Sequence, residues 1–290
     1  MKKIYSIDDE SKGLSLRSFI KKKFENLTSR EIEALLSKNG CKVNRTIERF
    51  GSKKLTLTDT VELFPHFLQK NKNEKITTLF EDDHLLIINK PADIPSSKRI
   101  LSELLNQSVL LVHRLDKPTS GVLILAKTTH AQSQIEELFY KQEIEKTYIA
   151  ITHGRMSDRK GLIEKPLKIK KRYEGGVIYM TTIQGKKAIT HWEKAFSSKT
   201  ETLFILKPIS GKTHQLRVHL ESIGHPILGD PVYKDKQTSP YNAERLMLHS
   251  RKVVFTHPFT HKKIEIIAPI PIIIRQTISK LFKNQNKCAF

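Results

Sequence analysis

His113-Arg114-Leu115-Asp116-Lys117-Pro118-Thr119-Ser120-Gly121 runs straight into the apolar residues Val122 to Ala126. The first part is polar and punctuated by Pro118 and Gly121, the pattern of a loop. The second is a short unbroken apolar run, the pattern of a strand buried on both faces. An acidic residue, Asp116, is therefore expected in a loop at the start of a central strand. Arg114 and Lys117 flank it in sequence, and nearby cations favour the charged form of an acid. An ionised carboxylate so placed can serve as nucleophile or base. Taken alone, Asp116 would instead be read as half of an ion pair that fixes a loop.

The residues around this stretch predict a sheet. Thr77 to Glu81 and Leu85 to Asn89 read as strands paired around Asp82-Asp83. A helix is expected from Lys98 to Leu105. Val122 to Lys127 is the buried strand, followed by an amphipathic helix, His130 to Tyr140, with Ile135, Leu138 and Phe139 inward. Glu143 to Thr152 alternates as a strand. Further strands are expected at 188–196, 202–209, 246–256 and 262–267. Ile264 to Ile274 is broken by Pro269 and Pro271, a strand and then a helix that Pro271 starts. Many strands with few inserted helices predict an α+β domain with a mixed, largely antiparallel sheet and flanking helices, not a doubly wound one.

The chain has 290 residues, and its 51 Lys and Arg exceed its 30 Asp and Glu, a net charge of +21. A globular protein this basic most often binds a polyanion, with nucleic acid the first candidate. The bland alternative is a proteome biased towards Lys. Two cysteines, Cys41 and Cys288, make no disulfide framework and no zinc spacing, which fits a reducing cytoplasm. Met1 to Glu10 carries Asp8, Asp9 and Glu10 and lacks the apolar core of a signal peptide. No apolar run is long enough to span a membrane. No metal site is predicted.

Three segments are expected: a small first domain at 1–66, a linker at 67–75 and a large domain at 76–290. In the first, Leu16, Phe19 and Ile20 keep helical spacing, and Lys21, Lys22 and Lys23 follow. Thr28 or Ser29 caps a second helix carrying Ile32, Leu35 and Leu36, which Asn39-Gly40 ends. Short strands are expected at Lys42 to Asn44 and Val61 to Phe64. The linker is polar and basic and cannot build a core.

Two further stretches could carry chemistry. Ser210-Gly211-Lys212-Thr213-His214-Gln215-Leu216-Arg217-Val218-His219-Leu220 follows a strand, turns at Ser210-Gly211 and enters a helix that Thr213 is expected to cap. A helix start with Lys212 and His214 beside it is a candidate anion site. Arg217, one turn in, could reach a carboxylate or phosphate. His219 alone is more often a packed helix histidine. In Lys146-Thr147-Tyr148-Ile149-Ala150, Tyr148 faces away from Thr147 and Ile149. A strand tyrosine is usually part of the sheet surface. In a cleft it would offer a flat face and a hydroxyl.

The first domain resembles the S4 RNA-binding domain, through Ser29-Arg30, Gly40, Val43-Asn44 and Leu57 to Leu63 with Asp59 in the turn. Arg45 stands where that family usually has Gly. The resemblance implies that Lys and Arg of the second helix contact phosphates. The large domain resembles the RluA family of pseudouridine synthases from about Thr77 to Pro269. Asn89-Lys90-Pro91-Ala92, His113 to Gly121, Tyr148, Thr213 to Leu220, Gly224-His225-Pro226-Ile227, Gly229-Asp230, Arg245 to Ser250 and Phe255-Thr256-His257-Pro258 carry it, in order. Lys212 replaces a frequent Arg, keeping the charge without the bidentate fork. Asp93 stands where Gly is frequent.

The resemblance implies the pseudouridine synthase fold and isomerisation of uridine to pseudouridine in RNA, without cofactor or metal. Asp116 would be the essential carboxylate, Arg217 its partner that keeps it ionised, and Tyr148 the ring that lies against the base and relays a proton. Arg114, Lys212, Thr213, His214 and Gln215 would bind substrate, and the target nucleotide would leave its stack. The S4-like domain favours large-subunit ribosomal RNA. The alternatives are the same reaction on transfer RNA, or a non-catalytic RNA-binding ribosome-assembly factor. A cytoplasmic monomer is expected.

Overall fold

A computed structural model of the chain describes residues 3–25, 27–37, 40–64, 75–173, 176–233 and 243–282. The chain divides into two compact units, one of residues 1–73 with 236–245 and the other of residues 74–235 with 246–290.

The first unit contains β1 (Lys3–Ser6), α1 (Leu16–Lys23), α2 (Ser29–Ser37), β2 (Cys41–Val43), β3 (Thr46–Ile47) and β4 (Thr60–Leu63). The strands form one antiparallel sheet in the order β1-β4-β2-β3. Leu16, Phe19 and Ile20 of α1 and Ile32, Leu35 and Leu36 of α2 are buried in a common core with Val43, Val61 and Leu63. Ser15 caps α1 by accepting from Ser18 N at 3.1 Å. Thr28, not Ser29, caps α2. Its hydroxyl accepts from Glu31 N while Glu31 accepts from Thr28 N, a reciprocal capping box.

Asp59 ties the last turn together, accepting from Thr56 N at 2.8 Å and from Asn44 Nδ2 at 2.7 Å. Arg45, where the S4 family favours Gly, sits at φ 65°, a left-handed conformation that Gly would adopt without strain. Asn39, the Arg30 side chain and all of the expected linker except Lys75 lie outside the described residues.

The second unit opens with β5 (Thr77–Glu81), β6 (Leu85–Lys90), α3 (Lys98–Leu105), β7 (Leu110–Leu111), β8 (Ser120–Ala126), α4 (Thr129–Tyr140) and β9 (Glu145–His153). It continues with β10 (Lys160–Glu164), β11 (Leu167–Tyr173), β12 (Gly176–Thr181), β13 (Ile189–Ser197), β14 (Glu201–Pro208) and α5 (Gln215–Glu221). It closes with β15 (Leu248–Thr256), β16 (Lys263–Ile267) and α6 (Ile272–Leu281). The main path of the sheet is β10-β13-β14-β9-β15-β8-β6-β5, with β7 on β8 and β16 on β15. All its pairs are antiparallel except β8 with β15. The mixed, largely antiparallel sheet and flanking helices are those the strand pattern predicts.

Val122 to Ala126 are fully buried, with apolar clusters on both faces of β8, as the unbroken apolar run requires. The sequence pattern does not predict β10, β11 and β12. Lys168, Lys170, Lys171 and Arg172 of β11 are exposed, so its pattern reads as a solvated charge run. The β11-β12 pair stands as a separate two-stranded ribbon.

Register brings distant residues together. Tyr148 of β9 pairs with Ser250 of β15, and Ser250 pairs with Gly121 of β8. Tyr148 also pairs with Leu206 of β14, whose exit leads to the loop before α5. The loop before β8, the tyrosine of β9 and the loop after β14 therefore converge. Gly121 permits this, at φ 114° and so close to β15 that an added Cβ would lie 2.1 Å from Ser250 O. Gly121→Ala is expected to lower unfolding stability by about 1–3 kcal/mol through overpacking. Chemical denaturation measures it, and an unshifted midpoint would contradict the close approach.

Candidate active site

Asp116 lies in the loop between β7 and β8, its side chain 20% exposed. The backbone on either side is pinned. Ser96 Oγ donates to Leu115 O at 2.9 Å and accepts from Leu115 N at 3.1 Å. The fully buried Lys90 donates from Nζ to Pro91 O and Ile94 O at 2.8 and 2.9 Å, and to Lys117 O at 3.4 Å. Asp93 N also donates to Lys117 O, at 2.8 Å. Asp93 takes φ 66°, so the Gly common at this place in the resembling family would be unstrained there. The acid thus stands on a rigid frame, which a reacting group requires.

Its charge partner is not a sequence neighbour. Arg114 and Lys117 are exposed, and among the described residues neither forms an ion pair with Asp116. Arg217, 101 residues away on α5, donates from Nη1 to Asp116 Oδ2 at 3.1 Å. The same guanidinium donates from Nε and Nη2 to the two oxygens of Asp230, at 2.7 and 2.8 Å. Asp230 also accepts from Val232 N and Tyr233 N. Burial of Arg217 disfavours its charge, but Asp230 first and then Asp116 outweigh this and raise its pKa above the ordinary value. Arg217 is a buried cation bridging one buried and one partly exposed carboxylate. In the sequence Asp230 falls within a motif, but no local pattern links it to Arg217 or gives it a role.

Tyr233 extends the network. Its ring lies 5.0 Å from the Arg217 guanidinium carbon. Its hydroxyl accepts from Tyr179 N at 2.8 Å and meets His214 Nδ1 at 2.8 Å. The other ring nitrogen of His214, Nε2, lies 3.8 Å from Asp116 Oδ2. Burial holds the His214 pKa below its ordinary 6.5, which keeps the ring neutral at neutral pH.

Tyr148 lies in the same cleft. Burial pushes its phenol up to about 12; Ser250 opposes this and the charge of Asp116 adds to it. The phenol stays protonated at neutral pH, suited to stacking and donating and unsuited to acting as a base.

Two expectations need correction. His214, not Thr213, is the N-cap of α5, at φ 58° and with no side-chain capping bond. Gln215 is buried with its amide engaged inside the protein. Oε1 accepts from Ser210 Oγ and Lys212 N, and Nε2 donates to Ile189 O and Thr190 Oγ1. Gln215 therefore shapes the loop before this seven-residue helix. His219 is also structural, held by Thr190 and by Lys165 O. Arg114, Lys212 and Thr213 are exposed on the cleft wall. The cleft is about 660 Å³, and Asp116, Tyr148 and Arg217 line it together. An acid, a buried cation and a flat ring around one cavity can grip a planar heterocycle and attack or deprotonate it.

Residues 84–222 match the family described as RNA pseudouridylate synthase. Across 95% of its length the chain is 31% identical to the ribosomal large subunit pseudouridine synthase C of Buchnera aphidicola, covering 96% of that protein. The chain belongs to the RluA family of pseudouridine synthases. It is 35% identical to the dual-specificity RNA pseudouridine synthase RluA of Escherichia coli, over 67% of this chain and 93% of that one. Among solved structures, human RNA pseudouridylate synthase domain containing 4 matches with a TM-score of 0.60 and 26% identity, covering 71% of this chain and 92% of that one. The RluA-family alignments extend well beyond the Asp116 loop, so a chance Arg-Leu-Asp triplet does not account for them. Among the described residues, no helix is long and apolar enough to cross a membrane.

Proposed function

We propose that this pseudouridine synthase converts uridine to pseudouridine in large-subunit ribosomal RNA. The observation that carries the chemistry is the Arg217 bridge, which holds Asp116 at the cleft while anchored to buried Asp230. Asp116 is the reacting carboxylate. During the reaction the bond from N1 of uracil to C1′ breaks and a bond from C5 to C1′ forms. The C5 proton leaves and N1 ends protonated, so atoms balance without any redox partner. Tyr148 lies against the everted base, and Arg114, Lys212 and Thr213 hold the RNA at the cleft wall. The base must leave its stack, since no atom of Asp116 could reach C1′ inside a duplex.

The ribosomal target is supported by the names of relatives that align over nearly the whole chain. A second reading adds transfer RNA as substrate; the name of one relative speaks of dual specificity, which allows more than one kind of RNA target. The first domain, 1–66, is read as an S4-like grip joined through 67–75 to the catalytic domain, 76–290, in a cytoplasmic monomer. Transcripts of large-subunit ribosomal RNA and of transfer RNA, tritiated at uridine C5, test the assignment. Release from the ribosomal transcript supports it, and release from neither transcript overturns it.

Removing residues 1–72 is expected to weaken RNA binding and flatten its salt dependence. Each phosphate no longer neutralised lowers the log–log slope by about 0.7–0.9. Titration at several salt concentrations measures this, and an unchanged slope would show that the first unit does not grip RNA.

A further inference from the structure

Two features of the cleft are not used by the chemistry above. Tyr140, the last residue of α4, is 88% exposed and lines the same cleft as Asp116. Lys146, near the start of β9, is half-buried and also lines it. Its ammonium meets Ile209 O at 3.4 Å and the Phe139 ring at 5.8 Å, and among the described residues no carboxylate pairs with it. Burial holds the Lys146 pKa below the ordinary value. The adjacent His113 is pushed down to about 3, by burial first and by Lys146 second, and is neutral. A cation with only a carbonyl and a ring face beside it lacks a counter-charge.

Between the two residues the chain turns at Gln142, φ 61°, which lines the cleft as well. A single exposed aromatic needs no explanation on an ordinary surface. This one lines the same reaction cleft as an undercompensated ammonium. A flat ring and a cation in one cleft are complementary to the two ends of a nucleotide.

We propose that this pair binds the nucleotide next to the everted uridine, its phosphate on Lys146 and its base against Tyr140. The inference rests on RNA being the substrate. It adds a subsite outside the Asp116, Tyr148 and Arg217 cluster. Because Tyr140 reads a base by stacking, it tolerates different bases and rejects a missing one.

The test uses the full chain and a short synthetic RNA centred on the uridine that the wild-type protein converts. Tyr140→Ala is expected to raise KM about five- to 150-fold, with a smaller effect on kcat, and Tyr140→Phe to restore it. An abasic nucleotide on one side of the target should cost the wild-type protein but not Tyr140→Ala. Lys146→Met should lower the salt slope of binding by about 0.7–0.9, and Lys146→Arg should keep it. A methylphosphonate at one neighbouring phosphate should cost the wild-type protein but not Lys146→Met. Wild-type values of KM and slope in both variants would overturn the subsite. So would effects of protein and RNA changes that add in full. Wild-type turnover on the unaltered RNA tests the reaction separately, so a failed subsite and a failed assignment give different results.

Discussion

Asp116→Asn is expected to abolish turnover while fold and RNA affinity stay close to those of the wild-type protein. The amide matches the carboxylate in size but is a poor nucleophile and a poor base. Removing a reacting group costs on the order of 10⁴- to 10⁶-fold in rate. The structural cost is small because Arg217 keeps both bonds to Asp230 when Asp116 loses its charge. Asp116 is also partly exposed, so the amide stays hydrated. The loop stays in place through Lys90 and Ser96, which bond its backbone and not the acid. Tritium release reads turnover, filter binding reads affinity, and thermal melting reads the fold. Retained turnover would remove Asp116 from the reaction. A lowered melting temperature would mean that the acid holds the fold.

Arg217→Met is expected to cost both activity and stability. The guanidinium is 3% exposed and Asp230 1% exposed, so the substitution strands a buried carboxylate without its cation. Breaking a buried pair on one side costs about 3–5 kcal/mol. Asp116 loses its partner in the same step. Adding Asp230→Asn should recover part of the stability, because the stranded charge is gone, and none of the turnover. Arg217→Lys should rescue neither fully, since one ammonium cannot replace a fork that bonds both oxygens of Asp230 while reaching Asp116. Chemical denaturation of the three proteins beside their tritium release checks the scheme. If Arg217→Met unfolds at the wild-type midpoint, the buried bridge does not stabilise the fold.

Much of the sheet was legible in the sequence. Val122 to Ala126 reads as a buried strand, α4 follows from apolar spacing, α6 from Pro271 at its start, and α3 was expected over its full range. Such elements are written in residues that neighbour one another, where period and composition suffice. The ribbon of β11 and β12 escaped because the exposed Lys168, Lys170, Lys171 and Arg172 dominate β11, while among the described residues its contact with the apolar core is limited to Leu167, Ile178 and Tyr179.

The site divides in the same way. Asp116, Tyr148 and Arg217 were singled out together by the resemblance of the ordered motifs that hold them, since each taken singly reads more readily as a structural residue. Their convergence was not legible, because it depends on β9, β15 and β8 lying side by side in one register. Neighbouring charge in the sequence pointed to Arg114 and Lys117 beside Asp116, and only the family resemblance named Arg217; folding turns the first two to solvent and brings Arg217 from 101 residues away. The resemblance likewise offered Gln215 as a ligand for substrate, and folding commits that amide to Ile189, Thr190, Ser210 and Lys212. Residue type and spacing determine which groups are chemically competent and which segments form strands or helices. Which competent group faces which is decided by tertiary structure, since hydrogen bonds and Coulomb forces act over a few ångströms of space and take no account of distance along the chain.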